Sequence, residues 1–139
     1  MTSEAGSTEA NTTLLRESVE AFNAGDMAKL LAVAAPDIII HYAEMPEPLQ
    51  GRETWQQGYE LVKRAFPDLK IRVDDLVAAG DKVALRLTLS GTHQGEFQGI
   101  PATGRTISYV SHEFYRVAEG LVAEEWICSA MASLFRQLS

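Results

Sequence analysis

The chain has 139 residues, of which 46% are apolar, and a formal net charge of -7. That is the length of one domain with enough apolar surface for one core, which excludes gross disorder. The acidic balance excludes the basic footprint that nucleic acid or an anionic membrane requires, and the single cysteine, Cys128, excludes an internal disulfide or a cysteine-built zinc site.

Residues 1 to about 11 are rich in Ser, Thr, Glu, Gly and Ala and read as a flexible tail, without the basic start and apolar run of a signal peptide. Thr12 or Thr13 caps a first helix in which Leu15, Val19 and Phe22 recur at helical spacing and Gly25 marks the end. Asp26 caps a short second helix through Leu31. Ile38 to Tyr42 is rich in β-branched residues and reads as a strand, and the proline-bearing stretch Ala43 to Gln50 as a loop. A third helix is predicted from about Glu53 to Ala65, with Trp55, Tyr59, Val62 and Phe66 on one face and Pro67 as the stop.

From Leu69 the period becomes two. Strands are predicted around Ile71 to Val77, Val83 to Leu89, Thr106 to Val117 and Leu121 to Ser129, with a Gly-rich connector over 91 to 104 and a last helical turn from Met131 to Leu138. Helices first and a meander afterwards is the α+β order, with helices on one face of a sheet. No apolar stretch approaches the about 20 residues that span a bilayer, and the default location is the cytoplasm. There is no GxGxxG, P-loop or GxSxG, and His41, His93 and His112 lack metal-ligand spacing. Neither a metal nor another cofactor is expected.

Several runs then carry a resemblance: PDIIIHY, the Gly51-Arg52-Glu53 step, FPDL at Phe66, GTHQGEFQGIPATGR, HEFYRVAEGLVAEEW and the ending LFRQL. Together they resemble the SnoaL-like polyketide cyclase family over nearly the whole chain after the tail. The resemblance implies a single domain over 12–139. Its fold is a cone-shaped α+β barrel, a curved antiparallel sheet with three N-terminal helices on its concave face. It also implies cofactor-independent acid/base chemistry, an aldol-type ring closure on a hydrophobic oxygenated small molecule, and a homodimer or higher homo-oligomer. Two alternatives stay open: a non-catalytic small-molecule-binding cone, and the partner component of a two-component polyketide hydroxylase. Fold alone does not choose among them.

The family's catalytic aspartate lies four residues after the tryptophan of the E-x-W motif, which is Ala130 here. Either another residue handles the proton, or the position carries an inactivating Asp→Ala replacement, or the register differs. Glu113 is the leading replacement, because alternation puts Tyr109, Ser111, Glu113 and Tyr115 on one side of their strand, where desolvation would raise a carboxyl pKa. His41 and His112 are further proton-handling candidates, and His93 is expected to staple the connector. With position 130 taken as cavity-facing, Glu124, Trp126 and Cys128 share its face, and Trp126 becomes a flat wall for a polycyclic substrate. Tyr42, Tyr109, Trp55, Tyr59, Phe97 and Ile100 complete the predicted binding residues. Arg86 has no aspartates placed beside it, which argues against epoxide hydrolysis by an Asp–Arg–Asp trio.

Overall fold

A computed structural model describes residues 4–139, with side chains from Thr8 onward. In chain order the elements are α1 (Glu4–Ala24), α2 (Met27–Ala32), β1 (Ala34–Tyr42), β2 (Leu49–Gln50), α3 (Arg52–Ala65), β3 (Lys70–Ala79), β4 (Lys82–Thr92), β5 (Thr106–Ala118), β6 (Leu121–Ser129) and α4 (Met131–Leu138). The six strands form one sheet in the order β2-β1-β6-β5-β4-β3. No described helix is long and apolar enough to cross a membrane.

Three expectations are corrected. The segment read as a tail is helical from Glu4, so Thr12 and Thr13 lie inside α1 and cap nothing. Glu and Ala are good helix formers, and Asn11 Nδ2 donates to the Gly80 carbonyl at 3.3 Å, tying this turn to the β3–β4 corner. Met1 to Ser3 lie outside the described residues. Inside the proline loop, Leu49 and Gln50 pair antiparallel with Ile40 and Ile39, adding a short edge strand. The sheet is also not wholly antiparallel: β1 pairs parallel with β6, His41 opposite Trp126. The chain leaves β1, runs through α3 and the β3–β5 meander, and returns on β6 beside its own first strand.

The remaining pairs are antiparallel, with a register shift between Val73 and Asp75 in β3–β4 and between Arg116 and Val117 in β5–β6. β4 and β5 keep one register from Lys82↔Arg116 to Thr92↔Thr106. One face of these strands is consequently buried: Val83, Leu85, Leu87 and Leu89 on β4, Ile107 and Tyr109 on β5. Ile38 and Ile40 of β1, Leu15 of α1, Phe66 after α3 and Leu134 and Leu138 of α4 close the same core. Fully burying each large apolar side chain contributes about 1.5–3 kcal/mol. Helix α1 is pinned to the β3 edge by Asn23, whose amide donates to the Ile71 carbonyl and accepts from the Ile71 amide, both at 2.8 Å. The sheet therefore has an inner face, roofed by α1, α3 and α4, and an outer face without helical cover.

The Gly-rich connector between β4 and β5 is tightly docked. His93 is fully buried, its amide donates to the Arg105 carbonyl at 2.9 Å, and its Nδ1 accepts from the Thr103 amide at 3.1 Å. Gln94 and Gly95 amides both donate to the Ala65 carbonyl at the end of α3. A Cβ on Gly95 would lie 2.2 Å from the Arg64 carbonyl oxygen, so only glycine permits this approach.

Candidate active site

Because β5 alternates without a bulge from Thr106 to Arg116, Tyr109, Ser111, Glu113 and Tyr115 all point to the inner face. Glu113 is 9% exposed. Its Oε2 accepts from Ser111 Oγ at 2.7 Å, and its Oε1 accepts from the Tyr115 hydroxyl. Ser111 Oγ also lies 2.8 Å from Ser129 Oγ on β6. Burial raises the Glu113 pKa against the lowering pull of the Tyr115 and Ser111 hydrogen bonds.

The register of β6 decides what faces Glu113. Ser129 pairs with Ser111, Ile127 with Glu113 and Glu125 with Tyr115. Glu125, Ile127 and Ser129 are therefore the inner residues of β6. Glu125 is 4% exposed, and its Oε1 accepts from Trp55 Nε1 at 3.0 Å across the roof helix α3. Burial first, and the negative charge of Glu113 second, push the Glu125 pKa up to about 8 despite the Trp55 bond. Tyr42, at the end of β1, joins the group: burial and the nearby Glu125, Glu113 and Glu44 push its hydroxyl up to about 12. Tyr109 is raised by burial and then by Glu113 and Tyr42. Tyr115 is raised by burial and then by Glu113, so that all three phenols are held neutral, as hydrogen-bond donors. Tyr42, Trp55, Tyr115, Ile127 and Met131 remain only partly buried although they pack against the core. The two carboxyl groups thus lie beneath a partly buried aromatic edge.

Several expected site residues lie elsewhere. The assignment of Glu124, Trp126 and Cys128 to the inner face is one residue out of phase, since period-two alternation turns every side chain over with a single-residue error. Trp126 stacks on His41 on the outer face, ring centroids 5.1 Å apart and 3° from parallel. His41 Nε2 lies 2.6 Å from Glu124 Oε2, and Arg116 Nε donates to Glu124 Oε1 at 3.1 Å. Burial would raise the Glu124 pKa, but the His41 and Arg116 bonds outweigh it and hold the carboxyl low. His41 is therefore separated from Glu113 by the sheet itself. His112 is exposed on that outer face, and Cys128, expected to face the cavity, is exposed there too.

Ala130 follows β6 and is the N-cap residue of α4, its amide donating to the Val110 carbonyl at 2.9 Å. Tyr59 meets Phe22 edge-on at 5.2 Å and belongs to the α1–α3 contact. Phe97 and Ile100 exchange two backbone hydrogen bonds as a small hairpin, with Phe97 packed 5.3 Å from Phe66 and 5.9 Å from Phe135. Of the expected residues, the structure brings together Glu113, Tyr109, Tyr42 and Trp55. It adds Glu125 and Ser129, and Ser111 and Tyr115 stand beside Glu113 as the alternation placed them. The signal that could have found Glu125 was the paired Glu124–Glu125: on a strand, one of two adjacent carboxylates must face inward. Among the described residues no three His, Cys, Asp or Glu side chains gather in a metal-holding group.

Residues 12–138 match the model of the SnoaL-like polyketide cyclase family. The chain belongs to that family. Within it, the chain is 29% identical over 133 residues to the aklanonic acid methyl ester cyclase DnrD of Streptomyces peucetius, covering 90% of this chain and 88% of DnrD. Among solved structures it resembles IdmH of Streptomyces antibioticus, which carries a provisional polyketide cyclase assignment, at 35% identity and a TM-score of 0.81, covering 92% and 97% of the two chains. AclR of Streptomyces galilaeus, with a provisional hydroxylase assignment, matches at 32% identity and a TM-score of 0.86, covering 94% and 96%. The six-stranded curved sheet with four helices is thus the SnoaL-like cone.

Proposed function

We propose that the chain is a polyketide cyclase-like enzyme that closes a ring, or shifts a double bond, by proton transfer without a cofactor. The observation that carries this reading is the buried Glu113 carboxyl on the inner face, held by the hydroxyls of Ser111 and Tyr115 beside the aromatic rim of Tyr42 and Trp55. Glu113 takes a proton from a carbon next to a carbonyl, and its desolvation makes it a stronger base than an exposed carboxylate. The rim offers apolar area to a hydrophobic, oxygenated polycyclic molecule. With alanine at position 130, the proton-handling role falls to β5 and β6 rather than to the family's aspartate. The reading sets the enzyme in the cytoplasm, in keeping with its lone cysteine.

Aklanonic acid methyl ester, the compound in the name of DnrD, is the first substrate to offer. Turnover is expected to fall at least 100-fold in Glu113→Gln, with the unfolding midpoint little changed; wild-type turnover in that variant overturns the role of Glu113. The likeness to AclR favours a second reading, the partner component of a hydroxylase. That reading predicts binding of a polyketide without ring closure, and an oxygenated product once a reductase partner is supplied.

The same reading pairs two copies of the chain through the outer face of the sheet. Phe114 and Val77 are 54% and 62% exposed there, around a shallow hollow of about 250 Å³. Arg86 and Asp75 stand opposite one another at its edge, so Arg86 does have an aspartate neighbour, contrary to the expectation from sequence, but on the outer face. A face with apolar centre and charges of both signs is self-complementary under a two-fold rotation.

A further inference from the structure

We propose that Glu125 is the acid partner of Glu113: its protonated Oε2 donates a hydrogen bond to the substrate carbonyl oxygen while Glu113 removes the proton from the neighbouring carbon. This rests on the proton-transfer reading above and adds to it the group that receives the developing charge.

The geometry points to this division of labour. Both carboxyl groups are on the inner face, on adjacent strands, two residues apart along the register, since Glu113 pairs with Ile127 and Glu125 with Tyr115. Their surroundings differ. Both oxygens of Glu113 accept hydroxyl hydrogens, which suits a carboxylate. Glu125 has one oxygen bound by Trp55 Nε1, and nothing among the described residues bonds the other. A proton on that free oxygen has no partner within the chain and is available to a ligand.

Electrostatics keeps it there. The titratable groups facing Glu125 are Glu113 and Tyr115 of β5 and Tyr42 of β1; Trp55 of α3 adds a neutral donor, and no cation is among the groups acting on it. Two buried carboxyls this close do not both ionise near neutrality. The more hydrogen-bonded Glu113 takes the charge, and Glu125 keeps its proton up to about pH 8. Pairs of acids whose surroundings separate their pKa values are the usual basis of acid/base division.

The step balances within the site. The Glu113 carboxylate gains the proton, the C–H electron pair becomes the enolate double bond, and the enolate oxygen is held by Glu125 O–H. The enolate carbon then forms a bond to the second carbonyl carbon of the same molecule. That oxygen takes up the proton from Glu113 and both acids return to their starting states, so ring closure is a net isomerisation.

The test uses the intact chain and α-hydrogen exchange of 2-tetralone in D₂O, which needs enolisation but no ring closure. Wild-type exchange should trace a bell in pH, with an alkaline limb near 8. Glu125→Leu should slow exchange about 100-fold, the cost of losing one donor to a developing oxyanion. Glu125→Gln, which keeps a donor in the same shape, should retain most of the rate and lose the alkaline limb. Glu113→Gln should reduce exchange to the solvent background. Carboxyl ¹³C NMR on glutamate-labelled chain should show Glu125 titrating near pH 8, and moving down in Glu113→Gln. If Glu125→Leu exchanges at the wild-type rate while Glu113→Gln is dead, the role of Glu125 falls and that of Glu113 stands. If Glu113→Gln exchanges at the wild-type rate, the proton-transfer reading itself falls. A Glu125 resonance that titrates in the ordinary carboxylate range overturns the acid assignment without any substrate.

Discussion

At the scale of single residues, the cost of the site is written in Glu125. A carboxyl whose folded pKa is about 8, against an ordinary value of 4.5, keeps a proton that the unfolded chain releases. The folded state therefore binds more protons between about pH 4.5 and 8, and its stability falls as pH rises through that window, at up to about 1.4 kcal/mol per pH unit. Glu113, also raised, adds to the same slope. Urea unfolding at a series of pH values should show the wild type losing stability from pH 5 to 8, and Glu125→Gln losing distinctly less. Parallel profiles would show that Glu125 is not held neutral. Glu124 is the contrasting carboxyl: on the far side of the sheet, its hydrogen bonds from His41 and Arg116 outweigh its burial and hold its pKa low. Nothing in the local sequence separates the two groups, since each is a glutamate beside aromatic and polar residues.

At the scale of elements, α4 starts without a side-chain cap, because its N-cap is Ala130. The first amides of any helix lack internal partners, and an aspartate at that position would accept from one of them and favour the helix dipole. Ala130→Asp should thus stabilise the chain by about 1 kcal/mol, read as a higher urea midpoint; an unchanged or lowered midpoint would show that the α4 start leaves no room for the carboxylate. Periodicity made α2, α3 and β3 to β5 legible, the burial alternating along those strands as the residues do, whereas β6 was located without its phase. The beginning of α1 was not legible. Its first turns carry Glu, Ala, Ser and Thr without an apolar stripe, and what holds this end is a hydrogen bond from Asn11 to a corner 69 residues away. The short strand β2 was equally hidden, its two residues made a strand by pairing with β1 rather than by their own preference.

At the scale of the molecule, the outer face carries the exposed Phe114 and Val77. In the two-copy reading, light scattering should give the mass of two chains, and Phe114→Lys should give one by placing a charge at the centre of the apolar patch. A wild-type mass of one chain would sink that reading. The sequence by itself determined the class of fold, the domain-sized core, the Gly-rich connector and the shared face of Tyr109, Ser111, Glu113 and Tyr115, because hydrophobic period and turn chemistry are local properties that residues carry with them. Only the tertiary structure decided which of Glu124 and Glu125 enters the site, that His41 stacks on Trp126 outside it, and that Trp55 reaches Glu125. Those outcomes depend on the phase of β6 against β5 and on its parallel pairing with β1, and a strand pattern has the same period whichever face is turned inward.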